Sequence, residues 1–123
     1  MKHLTVKEEE VMRILWEGGA MFVRDILSFY PDPKPHYNTV STVVRSLEEK
    51  GFVGYTAYGN TYRYHAIVTE REYRQKTLKG IISQYYNDSY LNVVSSFIEE
   101  EQMSVDELKE LVASIEQARA KKP

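Results

Sequence analysis

Asn38, Ser41, Thr42 and Arg45 recur at the three- and four-residue steps that bring side chains onto one face of an α-helix. They carry an amide, two hydroxyls and a guanidinium. Such a face of short hydrogen-bonding groups, free of the Glu/Lys mixture of an ordinary solvated helix, suits close approach to base edges in a major groove. Close by in the sequence, Lys34, Tyr37, Thr39, Lys50, Tyr58, Asn60 and Arg63 supply cations, hydroxyls and an amide of the kind that hold a phosphate backbone. Double-stranded DNA is the partner this pattern points to, with a polar surface helix that binds nothing as the bland alternative.

Other chemistry finds little footing. His3, His36 and His65 lack the i, i+3 or i, i+4 spacing that puts two metal ligands on one helix face. Ser41 and Ser46 have no flanking glycine elbow, and the six glycines read as helix stops and turns rather than as a phosphate cradle. Glu99 to Glu101 reads as a solvated helix end. No catalytic residue, metal or cofactor is expected.

The elements that position these groups follow from capping and periodicity. Thr5-Val6-Lys7-Glu8 is a capping box that starts a helix near Val6, whose Val11, Ile14 and Leu15 form a stripe with Trp16 beside it. Gly18-Gly19 ends it. A second helix is expected over Phe22, Val23, Ile26, Leu27 and Tyr30, and Pro31 to Pro35 prevents its continuation. The third runs from about His36 to Lys50 and stops at Gly51, with Val40, Val43, Val44 and Leu47 facing a core. Two aromatic strands, 52–57 and 62–67, then flank Gly59-Asn60, a turn pair that supplies the positive φ of a tight hairpin. Helix, helix, helix, hairpin is the order of a winged helix-turn-helix. The hairpin also admits a purely structural reading, in which its tyrosines pair with one another.

Thr69-Glu70-Arg71-Glu72 opens a further helix with an apolar side of Tyr73, Leu78, Ile81, Ile82 and Tyr85. Asn87-Asp88-Ser89 breaks it. A short, strongly apolar helix follows, with Leu91, Val94, Phe97 and Ile98, and the capping box Ser104 to Glu107 starts a last one bearing Leu108, Leu111 and Ile115. Three helices of this length are too few to enclose a core. Their stripes call for a second copy of the chain, although folding back on the chain's own N-terminal part would also cover them. The expected organisation is mostly α with a small β-hairpin: a winged-helix DNA-binding domain over 1–68, a helical dimerisation domain over 69–120 and a disordered tail over 121–123.

Composition bounds these readings. The 123 residues contain no cysteine, which excludes a disulfide scaffold and thiolate-ligated zinc. The N-terminus lacks the h-region of a signal peptide, and no apolar run approaches the about 20 residues of a membrane span, so a soluble, cytoplasmic protein is expected. Residues 1–74 hold ten Lys/Arg and ten Asp/Glu and the rest hold six and eight, for a net charge of −2. A DNA binder so balanced relies on a few well-placed cations, and its non-specific affinity fades with salt. Near-neutrality also leaves open a winged-helix module that meets a partner protein instead of DNA.

Several motifs carry a resemblance. Leu4-Thr5-xxx-Glu9-x-Val11-Met12-xx-Leu15-Trp16, Tyr37-Asn38-Thr39-Val40-x-Thr42-xxxx-Leu47-xx-Lys50-Gly51, Gly59-Asn60-Thr61-Tyr62-Arg63-Tyr64 and Ser95-Ser96-Phe97-Ile98 together resemble the penicillinase-repressor family of BlaI/MecI type. That resemblance implies a homodimeric repressor of palindromic operators, inactivated by cleavage in its dimerisation domain on a signal from a β-lactam-sensing membrane protease. Cleaved members carry an Asn-Phe bond; the matching pair is Ser96-Phe97. Asn38 stands where the family usually has Lys, and Arg45 lies one step before the usual arginine position, occupied by Ser46. One step is about 100° around a helix, so the family's operator sequence does not carry over. The copper-responsive branch uses a C-terminal cysteine cluster, which this chain lacks.

Overall fold

The computed structural model describes residues 2–120, so the expected tail at 121–123 lies outside the described residues. These residues form two compact units that divide between Lys76 and Thr77.

In the first unit, α1 (Val6–Gly18) starts on its capping box: the Glu8 amide donates to the Thr5 hydroxyl at 3.2 Å and the Thr5 amide to the Glu8 carboxylate at 2.8 Å. Gly19 ends the helix at φ +79, donating its N–H to the Leu15 carbonyl. The next residues depart from the expected second helix. Met21–Phe22 is a short strand, β1, and α2 spans only Val23–Ser28. Phe22 is extended, with φ −81 and ψ 158, and its N–H donates to the Asp25 carboxylate, so the helix starts one residue later than its apolar spacing suggests. Phe29 and Tyr30 close a tighter turn onto the Ile26 and Leu27 carbonyls instead of extending the helix.

α3 (Tyr37–Glu49) follows, then β2 (Val53–Tyr58) and β3 (Thr61–Ala66). The sheet is antiparallel in the order β1-β3-β2, with Met21 opposite Tyr64, Phe22 opposite Arg63 and Tyr58 opposite Thr61. Gly59 takes φ +62 at the hairpin tip, so the positive φ of the two-residue turn falls on the glycine and not on Asn60. Val11, Met12 and Leu15 of α1, Ile26 of α2, Val40, Val44 and Leu47 of α3, and Phe52, Val53 and Tyr64 of the hairpin close one core. Val43 is half-buried at its edge. Three helices and a hairpin on a shared core make this unit a winged helix.

α4 (Glu70–Tyr86) begins on its own capping box, with Thr69 and Glu72 exchanging bonds of 3.1 and 3.3 Å. Its first turn belongs to the winged-helix unit. Tyr73 packs against Trp16 and Phe52, both at 5.8 Å between ring centroids, and its hydroxyl donates to Glu9 at 2.7 Å. The Trp16 indole N–H donates to the Val68 carbonyl at 2.9 Å, tying the strand exit to α1.

In the second unit, α4 ends where Asn87 and Asp88 take φ of 50 and 62, a conformation that short Asn and Asp side chains tolerate. α5 (Tyr90–Glu99) is capped by Ser89, and α6 (Val105–Ala120) by the Ser104–Glu107 box. Of the described residues from 77 to 120, only Ile82 is buried; α5 and α6 bury none. No helix among the described residues is long and apolar enough to cross a membrane.

Candidate nucleic-acid interface

α3 is held by its inner face and by one corner. Val40, Val44 and Leu47 are buried at the helical spacing expected of a core stripe. On a flanking face, Ser46 donates to the Glu8 carboxylate at 2.7 Å, and Lys50 reaches the same carboxylate at 2.7 Å and the His3 carbonyl at 3.0 Å. Glu8 is 3% exposed. Burial alone would raise its pKa, but the Lys50 ammonium, the Thr5 amide and the Ser46 and Thr5 hydroxyls outweigh burial and hold it down to about 2. A fully satisfied buried carboxylate therefore locks the start of α1 to the end of α3.

That lock corrects one expectation. Lys50 was expected on a DNA phosphate; it is instead committed to a buried ion pair, with its side chain 23% exposed. Lys34 is likewise partly committed, donating to the Tyr30 carbonyl at 2.6 Å just past the C-terminus of α2. The Ser46 hydroxyl turns to Glu8, leaving Arg45 as the guanidinium of this helix.

The opposite face of α3 stays open. Asn38, Thr42 and Arg45 are exposed and Ser41 is half-buried. Thr42 donates to the Asn38 carbonyl at 2.8 Å, and Arg45 rests on the Thr42 hydroxyl at 3.4 Å, so these side chains are loosely ordered by one another. Tyr37 and Thr39 are exposed at the first turn. On the wing, Tyr55, Tyr62 and Tyr64 cluster, Tyr55 and Tyr62 tilted at 4.4 Å between centroids and Tyr62 edge-on to Tyr64, while Tyr58 meets Phe22 edge-on at 5.8 Å. Tyr55, Tyr62 and Tyr64 thus meet one another along the wing, as the alternative structural reading of the hairpin has it. Burial, with Glu48 second, raises the Tyr64 pKa above its usual range. Asn60 and Arg63 remain exposed at and beside the tip.

Between the open face of α3 and the wing lies a groove of about 430 Å³, walled by Tyr37, Ser41 and Arg45 on one side and Asn60, Thr61 and Tyr62 on the other. Arg24, at the start of α2, joins the same wall. Sequence spacing gave no hint of Arg24, because the pairing of β1 with β3 is what brings the start of α2 to the wing.

Two residues expected in the dimer seam have partners or cover within the single chain. Tyr73 is spent on Trp16, Phe52 and Glu9 within the winged-helix unit, and Ile82 is already buried in the single chain. Leu78, Ile81, Tyr85, Leu91, Phe97, Leu111 and Ile115 are exposed, and Val94, Ile98 and Leu108 are half-buried. Ser96 is half-buried inside α5, its carbonyl accepting from Glu100 and that of Phe97 from Gln102.

The sequence matches the family model described as penicillinase repressor over residues 4–117. It is 30% identical over 107 residues to the methicillin resistance regulatory protein MecI of Staphylococcus aureus (strain N315), covering 85% of each chain. The penicillinase repressor of Bacillus licheniformis is 23% identical over 120 residues, covering 94% of this chain and 91% of its own length. With that match spanning nearly all of a winged helix and the helices after it, the chain belongs to the penicillinase repressor family.

Proposed function

We propose that this chain is a cytoplasmic, dimeric, sequence-specific DNA-binding repressor of transcription, and that it controls β-lactam resistance or a related stress response. The observation that carries this reading is the open face of α3, where Asn38, Thr42 and Arg45 stay exposed and free of ion pairs among the described residues. Family membership and the names of the relatives agree with it. Asn38, Ser41, Thr42 and Arg45 read bases; Tyr37, Thr39, Tyr58, Asn60 and Arg63 position the backbone. A gel shift with duplex from the chain's own promoter region tests the reading. A complex that resists excess unrelated duplex supports it, and equal competition by any duplex overturns it.

The second copy comes through the helices after residue 76. Leu91 is 75% exposed and Phe97 48%, and an apolar helix with nothing buried in the single chain gains about 1.5–3 kcal/mol for each large side chain a partner covers. Two linked reading helices then bind a palindromic operator with the second site at high effective concentration. Cleavage at Ser96-Phe97, on a signal from a membrane sensor protease system, would cut α5 and detach α6 from that seam, releasing DNA without altering α3. The bond lies within helical hydrogen bonding, so it is cut only when this part of α5 opens. Mass spectrometry of the protein from β-lactam-treated cells decides this step: fragments ending at Ser96 support it, and full-length protein during induction removes it.

A further inference from the structure

We propose that Arg24 anchors a backbone phosphate of the bound duplex in the groove between α3 and the wing. This rests on the DNA-binding reading above and adds to it a residue from a third element. Arg24 is exposed and makes no ion pair or hydrogen bond among the described residues, whereas Arg13, Lys50 and Arg74 are each neutralised by a glutamate of this chain.

The charge of the groove is the second observation. In a chain with 18 acidic residues and a net charge of −2, the groove presents Arg24 and Arg45 and not one carboxylate. Two other hollows beside α1 differ: the one beside Tyr30 includes Glu10, and the one beside Trp16 includes Glu17 and Glu70. The nearest acid in sequence, Asp25, accepts from the Phe22 amide at the start of α2.

Placement completes the argument. The Phe22–Arg63 pairing fixes the start of α2 against the wing strand, so Arg24 and Arg45 face one space from elements far apart in sequence. Hydroxyls of Ser41, Tyr37 and Tyr62 and the Asn60 amide edge the same space. Two guanidiniums with surrounding neutral donors form a site for a phosphodiester, which each can grip through paired N–H groups. Arg24 extends from α2 and not from the reading helix, so its contact orients the protein and carries no base preference.

The test uses the full chain, the duplex it recovers from a random-sequence selection, and a scrambled duplex of equal length. Fluorescence anisotropy across a salt series compares wild type with Arg24→Ala and Arg24→Lys. For Arg24→Ala, affinity for both duplexes falls by the same factor, on the order of tenfold, and the slope of log K against log salt flattens by about 0.9 per protomer. Arg24→Lys keeps most of that slope. A neutral methylphosphonate scanned along the selected duplex weakens wild type at one phosphate per half-site and leaves Arg24→Ala unaffected there. An unchanged slope with an unchanged methylphosphonate profile in Arg24→Ala overturns the anchor while DNA binding stands. Failure of wild type to select or bind any duplex overturns both.

Discussion

Replacing Glu8 with glutamine removes one charge from the corner that joins α1 to α3 while keeping the shape of the side chain. In the folded protein Glu8 titrates at about 2, against 4.5 for the unperturbed group. A depression of that size corresponds to about 3 kcal/mol of preference for the charged form in the folded state. Because the folded pKa is the lower one, the contribution is complete above about 4.5 and disappears as pH falls towards about 2. Glutamine can still accept from the Thr5 amide or the Ser46 hydroxyl, and Lys50, at 23% exposed, can turn its ammonium to water. The expected cost of Glu8→Gln at pH 7 is therefore about 2–3 kcal/mol, below the about 3–5 kcal/mol typical of breaking a fully enclosed pair. Urea unfolding followed by the single tryptophan, Trp16, at fixed protein concentration from pH 7 to pH 2.5 measures it in the winged-helix unit. Wild type and variant should converge as the pH falls. A difference under about 1 kcal/mol at pH 7, or one that persists unchanged to pH 2.5, refutes the role given to Glu8.

Three further outcomes are expected. Arg45→Ala should weaken operator binding by about 1–3 kcal/mol and relax preference at one base pair per half-site, measured by randomised-site selection; retained preference removes Arg45 from the reading set. Leu91→Asp should leave the chain monomeric in sedimentation at concentrations where wild type is a dimer, since it places a charge in an apolar seam, and equal dimerisation would move the seam elsewhere. Tyr73→Phe removes the hydrogen bond to Glu9 and should cost about 1 kcal/mol in the same unfolding assay with no change in dimerisation, whereas a weakened dimer would return Tyr73 to the interface.

Features set by near neighbours were readable from the sequence, and those set by distant ones were not. The boxes at Thr5, Thr69 and Ser104 bond across three residues, so the string alone located the starts of α1, α4 and α6. The core stripe of α3 and the glycine at the hairpin tip were equally local. β1 went unseen because two residues show no period, and it forms only through pairing with β3. Lys50 meets Glu8 across 42 residues and Tyr73 meets Glu9 across 64, so in sequence Lys50 resembled a free surface cation and Tyr73 a member of the apolar stripe of α4. Arg24 is the converse case: an ordinary helix arginine in sequence that tertiary pairing brings beside Arg45.

The central claim is that two copies of this chain read DNA through paired α3 helices. Iterative selection of random duplexes by the full-length protein, followed by sequencing, tests it most directly. The account predicts enrichment of a two-fold-symmetric site whose half-sites lie on one face of the duplex, separated by about one helical turn or a multiple of it. A pool without an enriched sequence, or an enriched single asymmetric site, would contradict it.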